Sequence, residues 1–298
     1  MRSITETQME EMYSNESDSG TPLPAKLYLC ATPIGNMGDI TQRVTDVLKN
    51  VYAVYCEDTR NTGAMLKRLG IKARLEACHE HNEEASAERI AALVGQGLAV
   101  AYVSDAGMPC ISDPGERLVR AFIDRGLPFE VLPGASASLT AAILSGLSTK
   151  RIYFAGFLPR ENRERVELLA EIKRVGATVV IYESPHRVGK TLEELNRALG
   201  DRDAAVVREM TKRFEQTVRG RLSELAERFS DEEPKGECVI VLSGKKSGDA
   251  AAESPQELLS RLLASGMSVK DAARQAALLL DVPKSEAYAL AMKLKNEG

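Results

Sequence analysis

Tryptophan is absent from this sequence, aromatic residues make up only 5% of it, and histidine occurs three times. No apolar run is long enough to span a bilayer, which excludes a helical membrane protein. The first 24 residues have neither the charged start nor the apolar core of a signal peptide. They hold Arg2 against Glu6, Glu10, Glu11, Glu16 and Asp18 and are expected to form a disordered acidic tail. That tail carries the whole formal charge of −4, so the chain from Ala25 onward is neutral. Overall charge therefore neither selects nor excludes nucleic acid, and local patches must decide. Five cysteines (Cys30, Cys56, Cys78, Cys110, Cys238) show no CxxC spacing. With no export signal, a reducing cytoplasm is the expected location. His79 and His81 lie near Cys78, but no second ligand pair appears, so no metal is expected.

At 298 residues the chain is too long for one ordinary core. Apolar runs predict strands at Lys26–Thr32, Ala53–Cys56, Arg74–His79, Leu98–Ser104 and Phe129–Leu132. Helical patterns follow at Thr41–Lys49, Asn61–Leu69, Glu83–Gly95, Pro114–Arg125 and Ser136–Ser145, with Asp39 and Asn82 fitting N-caps. This alternation predicts a mostly parallel sheet with helices on its faces. Gly146–Thr149 reads as a hinge. A second unit is expected to have strands at Arg151–Gly156, Ala177–Tyr182, Ala204–Glu209, Gln216–Arg221 and Glu237–Ser243. Helices at Arg163–Val175, Pro185–Leu199 and Leu222–Phe229 lie between them, and the closely spaced late strands predict a mixed sheet. Residues 245–254 form a linker by composition. Beyond it, Pro255–Ala264, Val269–Leu280 and Pro283–Lys295 predict three short helices, either a helix-turn-helix-like domain or a packing module. The expected domains are thus 25–147, 148–244 and 255–298.

Several strand-end loops carry chemistry. Val103–Gly115, VSDAGMPCISDPG, follows the fourth strand with small and turn-forming residues whose backbone can approach a ligand closely. The loop after the first strand, ATPIGNMGD, does not fit GxGxxG, because Thr32 and Pro33 occupy early glycine positions. Glu57 and Asp58 sit beside Arg60, where an ion pair and a functional role both fit. Leu132–Ala137, LPGASA, ends the fifth strand and opens a helix. Three such loops on one sheet edge predict a ligand cleft. In the second unit, YESPHR places Glu183, His186 and Arg187 at a strand end, as a hydrogen-bonded corner or a catalytic pair. From Lys150 to Lys190 there are nine basic and five acidic residues, which suits a phosphate-backbone partner.

Taken together, ATPIGNMGDIT, EDTRNT, SDAGMPCISDPG, LPGASA, AGFLPR and YESPHR resemble the tetrapyrrole-methylase-like class of S-adenosylmethionine methyltransferases. Within it they are similar to the branch that methylates the ribose 2′-oxygen of a cytidine in the decoding centre of 16S rRNA. The resemblance covers Ala25 to about Gly244, and the C-terminal helices are similar to that branch's small RNA-binding domain. It implies an α/β fold of two domains with S-adenosylmethionine in the cleft between them, a small C-terminal helical domain, and a homodimer. Residue by residue, it sets Ile34, Asp105, Ala106, Gly107, Met108, Ile111, Ser136, Ala137, Tyr182 and Met210 against the methyl donor. The wider class often carries Gly-Gly-Asp or Gly-Asp-Pro where this chain has Ala106–Pro109, which argues against a tetrapyrrole substrate.

A ribose hydroxyl needs its proton removed as it attacks, and His186 and Glu183 are the candidates for that role; an Arg or Lys stabilising the alkoxide is the alternative. Arg160, Arg163, Arg165 and Arg187 are expected to grip phosphates of 16S rRNA or the small ribosomal subunit. Methylation of a tetrapyrrole or a protein, and a non-catalytic nucleic-acid-binding module, are the rival readings. The C-terminal segment from Pro255 carries six basic and five acidic residues, less positive than a DNA reader requires.

Overall fold

The computed structural model describes residues 23–79, 82–231, 233–245, 255–280 and 282–297. Most of the acidic tail, His81 and most of the linker read from the sequence lie outside these residues. The chain divides into two compact units, 1–136 and 137–298.

The first unit is built on β1 (Leu27–Cys30), β2 (Ala53–Cys56), β3 (Leu75–Ala77), β4 (Val100–Val103) and β5 (Phe129–Leu132). Their order is β3-β2-β4-β1-β5, and every pairing is parallel. Four helices connect them: α1 (Gln42–Asn50), α2 (Thr59–Arg68), α3 (Glu83–Gly95) and α4 (Glu116–Asp124). Alternate strand residues face opposite sides. Leu27, Leu29, Tyr55, Val100 and Tyr102 pack with Ile90 and Val94 of α3 and Leu118 and Phe122 of α4. Tyr28, Cys30, Val54, Cys56 and Val103 pack with Val44, Val47 and Leu48 of α1 and Leu66 of α2. Both faces are covered, which is why these strands are continuous apolar runs and all of β1, β2 and β4 is buried.

The second unit begins with α5 (Ala137–Ser145), so the division falls before the Gly146–Thr149 hinge. The reason is packing: α5 lies against β7 (Thr178–Glu183), β8 (Asp203–Arg208) and β10 (Cys238–Leu242). With β6 (Ile152–Phe157) and β9 (Gln216–Arg221) these form a sheet in the order β6-β7-β10-β8-β9. Only β6 and β7 are parallel; the other neighbours are antiparallel. The opposite face is covered by α6 (Asn162–Arg174), α7 (Val188–Leu199) and α8 (Leu222–Asp231) through Ile172, Leu192, Leu195, Leu222 and Leu225. A separate small core, including Leu258, Leu259, Ala272, Ala276 and Ala291, joins α9 (Pro255–Ala264), α10 (Val269–Leu280) and α11 (Lys284–Glu297). Ser268 starts α10 reciprocally: its Oγ accepts from Asp271 N–H and donates to Asp271 Oδ2. Among the described residues no helix is long and apolar enough to cross a membrane.

Candidate functional site

In the first sheet β1 and β4 are neighbours whose chains leave in opposite directions. After β1 the chain runs past β4 to β2; after β4 it runs past β1 to β5. A crevice opens at the carboxyl ends of such a pair, and ligands of parallel α/β sheets bind there. Beyond the strands the two loops remain stapled. Thr32 N–H donates to Gly107 O at 2.9 Å and Gly107 N–H returns to Thr32 O at 3.0 Å. Thr32 Oγ1 donates to Ser104 O at 3.1 Å and Ser104 Oγ to Gly107 O at 3.2 Å. Gly107 has φ +81°, and a Cβ there would lie 3.2 Å from Ile34 Cγ2 and 3.4 Å from Ala135 O. One residue from each of the three predicted loops therefore converges at this glycine. Ile34 is buried, Met108 is half-buried, and Asp105, Ala106 and Ile111 are exposed. Ser136 and Ala137 follow at the start of α5, both half-buried.

The far end of the β4 loop is held by residues that the sequence does not advertise. Glu83, almost fully buried on the first turn of α3, accepts from the N–H groups of Gly115, Arg117 and Leu118 at 2.8–3.2 Å. It caps α4 from another helix, and α4 starts at Glu116 rather than at Pro114. Tyr102 Oη donates to Pro114 O at 2.7 Å. Asp39 is not an N-cap: Thr41 fills that place on α1, accepting from Val44 N–H, while Asp39 ends a 3-10 turn. Asn82 does precede α3, but its side chain accepts from His79 N–H instead of capping the helix.

The EDTRNT segment faces the same loop. Asp105 accepts from Asp58 N–H at 3.3 Å and Asn61 Nδ2 at 2.7 Å. The Asp58–Arg60 pair closes at 2.6 Å, and that hydrogen bonding holds the Asp58 carboxyl down at about 2. Asp113 goes the other way: burial, then the charges of Glu57 and Asp105, push it up to about 7. Burial and Asp105 also raise Glu57. Among the described residues no group of three or more His, Cys, Asp or Glu could hold a metal ion.

In the second unit Tyr182 and Glu183 end β7. Glu183 is sealed: Thr191 Oγ1 donates to it at 2.7 Å, Ser184 N–H at 2.9 Å, and Arg187 Nε lies 3.4 Å away. His186 stands on the following 3-10 turn with its side chain 78% exposed and Nδ1 on Glu233. The pair read from the sequence is thus split between interior and surface. The arginines split too. Arg160 and Arg163 are exposed, Arg163 beside Glu167. Arg165 turns inward to Glu194 and Pro159 O, and Arg187 to Glu183 and Leu158 O, so these two lock the Leu158–Arg160 corner.

Met210 is buried after β8, between Glu209 at φ +49° and Thr211 at φ +63°. Ile111 lies between Cys110 at φ +68° and Ser112 at φ +63°. Among the described residues these four are the non-glycine positions with positive φ, and they bracket two residues that the motif resemblance sets against the methyl donor.

A model of the tetrapyrrole (corrin/porphyrin) methylases matches residues 26–226, and one of the RsmI C-terminal HTH domain matches 249–295. Ribosomal RNA small subunit methyltransferase I of Bacillus subtilis (strain 168) is 38% identical over 283 residues, covering 93% of this chain and 95% of that protein. The protein of that name from Mesorhizobium japonicum is 43% identical over 279 residues, covering 92% and 94%. Among solved structures, diphthine synthase aligns with a TM-score of 0.59 at 17% identity, over 73% of this chain and 89% of that one. Uroporphyrin-III C-methyltransferase from Thermus thermophilus, complexed with S-adenyl homocysteine, aligns at 0.53 and 20% identity, over 73% and 97%. At those identities the structures share the fold. Sequence motifs, the β1/β4 crevice and 38–43% identity over nearly the full length agree that the chain belongs to the tetrapyrrole methylases and, within them, to the ribosomal RNA small subunit methyltransferase I family.

Proposed function

We propose that this chain transfers a methyl group from S-adenosylmethionine to the ribose 2′-oxygen of a cytidine in the decoding centre of 16S rRNA. It acts as a cytoplasmic homodimer on the small ribosomal subunit or its rRNA. The observation that carries the reading is the placement of strain. Folds retain strained backbone where a site demands it, and here it brackets Ile111 and Met210. The relatives' shared name supplies the substrate class.

The residues fit the donor. Ala106, Gly107 and Ala135 bring bare backbone to the crevice, and Ile34, Met108 and Ile111 add apolar surface. Ser136, Ala137, Tyr182 and Met210 are the further donor contacts that the motif resemblance implies. When bound, S-adenosylmethionine supplies a methyl group on a sulfonium, open to in-line displacement. The staples at Thr32, Ser104 and Glu83 hold the loop rigid, so positioning is built in before the donor arrives. Asp105 accepts from Asp58 and Asn61, which ties the β4 loop to the start of α2.

The ribose proton must leave as the new bond forms. His186, exposed on its turn, takes that proton; Glu183 acts through Arg187 and Thr191, holding the turn rather than touching the ribose. Arg160 and Arg163 grip RNA phosphates, α9–α11 add a second RNA contact, and Arg165 and Arg187 set the corner from which Arg160 projects.

The test offers labelled S-adenosylmethionine with small subunits, naked 16S rRNA or uroporphyrinogen, and maps ribose methylation by primer extension. One 2′-O-methylcytidine in the decoding centre is expected. Transfer to the tetrapyrrole, or none to RNA, contradicts the reading. His186→Ala is expected to lower kcat by about a hundredfold with the donor affinity unchanged; an unchanged kcat removes the base.

A further inference from the structure

Among the described residues β6 is an edge strand, paired with β7. Side chains alternate along a regular strand, so Phe154 and Phe157 should face opposite sides. They do not, because the register slips: Phe154 lies opposite Val180, Gly156 opposite Ile181 and Phe157 opposite Tyr182. A bulge at Ala155–Gly156 absorbs the extra residue, and Gly156 supplies the left-handed backbone it needs, at φ +64°. The bulge returns Phe157 to the side of Phe154, and both rings meet Tyr182 edge-on. The centroids are 4.8 Å apart for Phe154–Tyr182, with planes at 67°, and 5.5 Å for Phe157–Tyr182, at 68°. Phe157 nevertheless remains 53% exposed. The bulge thus re-aims a large apolar ring that its contact with Tyr182 leaves half exposed. Exposed Arg160 and Arg163 follow it at once, in the stretch from Lys150 to Lys190 where basic residues outnumber acidic ones nine to five.

We propose that Phe154, Tyr182 and Phe157 form a stacking platform for one unpaired nucleobase of the RNA substrate, with Phe157 as the ring that meets the base. This rests on RNA being the substrate. Aromatic faces stack any base, and neighbouring guanidiniums hold the backbone on either side, the usual pairing of contacts to single strands. Phenylalanine has no hydrogen-bonding group, so the platform holds a splayed nucleotide without reading its identity. Tyr182 buttresses Phe157, and the bulge sets the angle of the ring.

The test uses the full chain with Phe157→Ala, Phe157→Leu and Phe157→Trp. Steady-state methylation of small subunits is measured alongside S-adenosylmethionine affinity by calorimetry and molecular mass by light scattering. Phe157→Ala and Phe157→Leu are expected to raise KM for the subunit by roughly tenfold or more, the effect of one lost stacking contact. Donor affinity and mass should stay unchanged, and Phe157→Trp should restore KM. Because the chain contains no tryptophan, Phe157→Trp also reports directly: its fluorescence should be quenched by 16S rRNA. Wild-type KM in Phe157→Leu, or an unquenched tryptophan, overturns the platform. So does a fall in mass, which would make this face an interface between copies of the chain. A wild-type chain that methylates no RNA overturns the functional reading and the platform together; one that methylates RNA, with Phe157→Ala indistinguishable from it, overturns the platform alone.

Discussion

The two sheets differ in what their strand ends present. In the first, all strands run one way, so loops after them open on the same edge, and what converges there is the backbone of Thr32, Gly107 and Ala135 with the side chain of Ile34. In the second, side chains gather beyond the one parallel pair: Phe157 at the end of β6, Arg160 and Arg163 after it, and His186 after β7. A parallel sheet suits a small ligand held by N–H and C=O groups. A mixed sheet with charged and aromatic loops suits a large anionic one. The comparison teaches that donor affinity and RNA affinity should be separable by substitution.

The largest effect is expected at the first sheet. Gly107→Val puts a β-branched residue at φ +81° against Ile34 and Ala135 O. It should weaken S-adenosylmethionine binding by roughly a hundredfold, equivalent to about 2.7 kcal/mol. Calorimetry checks this, and an affinity within twofold of wild type breaks the backbone-site side of the comparison.

Next is Glu83→Ala, which leaves three N–H groups at the start of α4 without their carboxylate. About 2–3 kcal/mol of stability should be lost, measured by urea unfolding, with Glu83→Gln recovering part of it. A loss under about 0.5 kcal/mol, the level of an ordinary surface change, would show that the loop is not anchored there.

On the second sheet, Arg160→Ala with Arg163→Ala should make the log–log salt dependence of 16S rRNA binding shallower by about 1.4, roughly 0.7 for each single-strand phosphate contact. Donor affinity should not change. Arg165 is unsuitable for this test, because it is paired inward with Glu194 and its removal should cost stability first.

The smallest effect is a pH dependence at Asp113. Its folded pKa, about 7, lies above the ordinary carboxylate value, so the folded state keeps a proton that the unfolded chain loses near pH 4. The resulting stabilisation is complete below about pH 4 and disappears as pH rises through about 7. Asp113→Asn should therefore raise Tm by a few degrees at pH 8 and leave it unchanged at pH 4. Equal shifts at both pH values would contradict the assignment.

Much of the fold was legible in the sequence, for physical reasons that also mark where legibility stops. Doubly covered parallel strands are apolar throughout, so β1, β2 and β4 announce themselves. The ends of β1 and β4 were overrun because Thr32 and Ser104 look like strand residues until their hydrogen bonds cross the loop. Pro114 suggested a helix start, but the true start follows Glu83, a partner 32 residues upstream of Gly115 that no local pattern reveals. Small, apolar α5 reads as the end of the first unit, yet it packs on the second sheet. The loops after β1, β4 and β5 are legible, since small residues at strand ends are a local signal. The inward turn of Glu183, Arg165 and Arg187 was invisible, because a 3-10 turn and partners across α7 decide it. The bulge at Ala155–Gly156 likewise shows only once β6 is paired.

The central claim is that the carboxyl edge of the first sheet holds the methyl donor. Hydrogen exchange of the full chain with and without S-adenosylhomocysteine tests it most directly. Slower exchange is expected in residues 33–38, 105–111 and 134–138. Unchanged exchange in those loops at a saturating concentration, or protection confined to α9–α11, would contradict it.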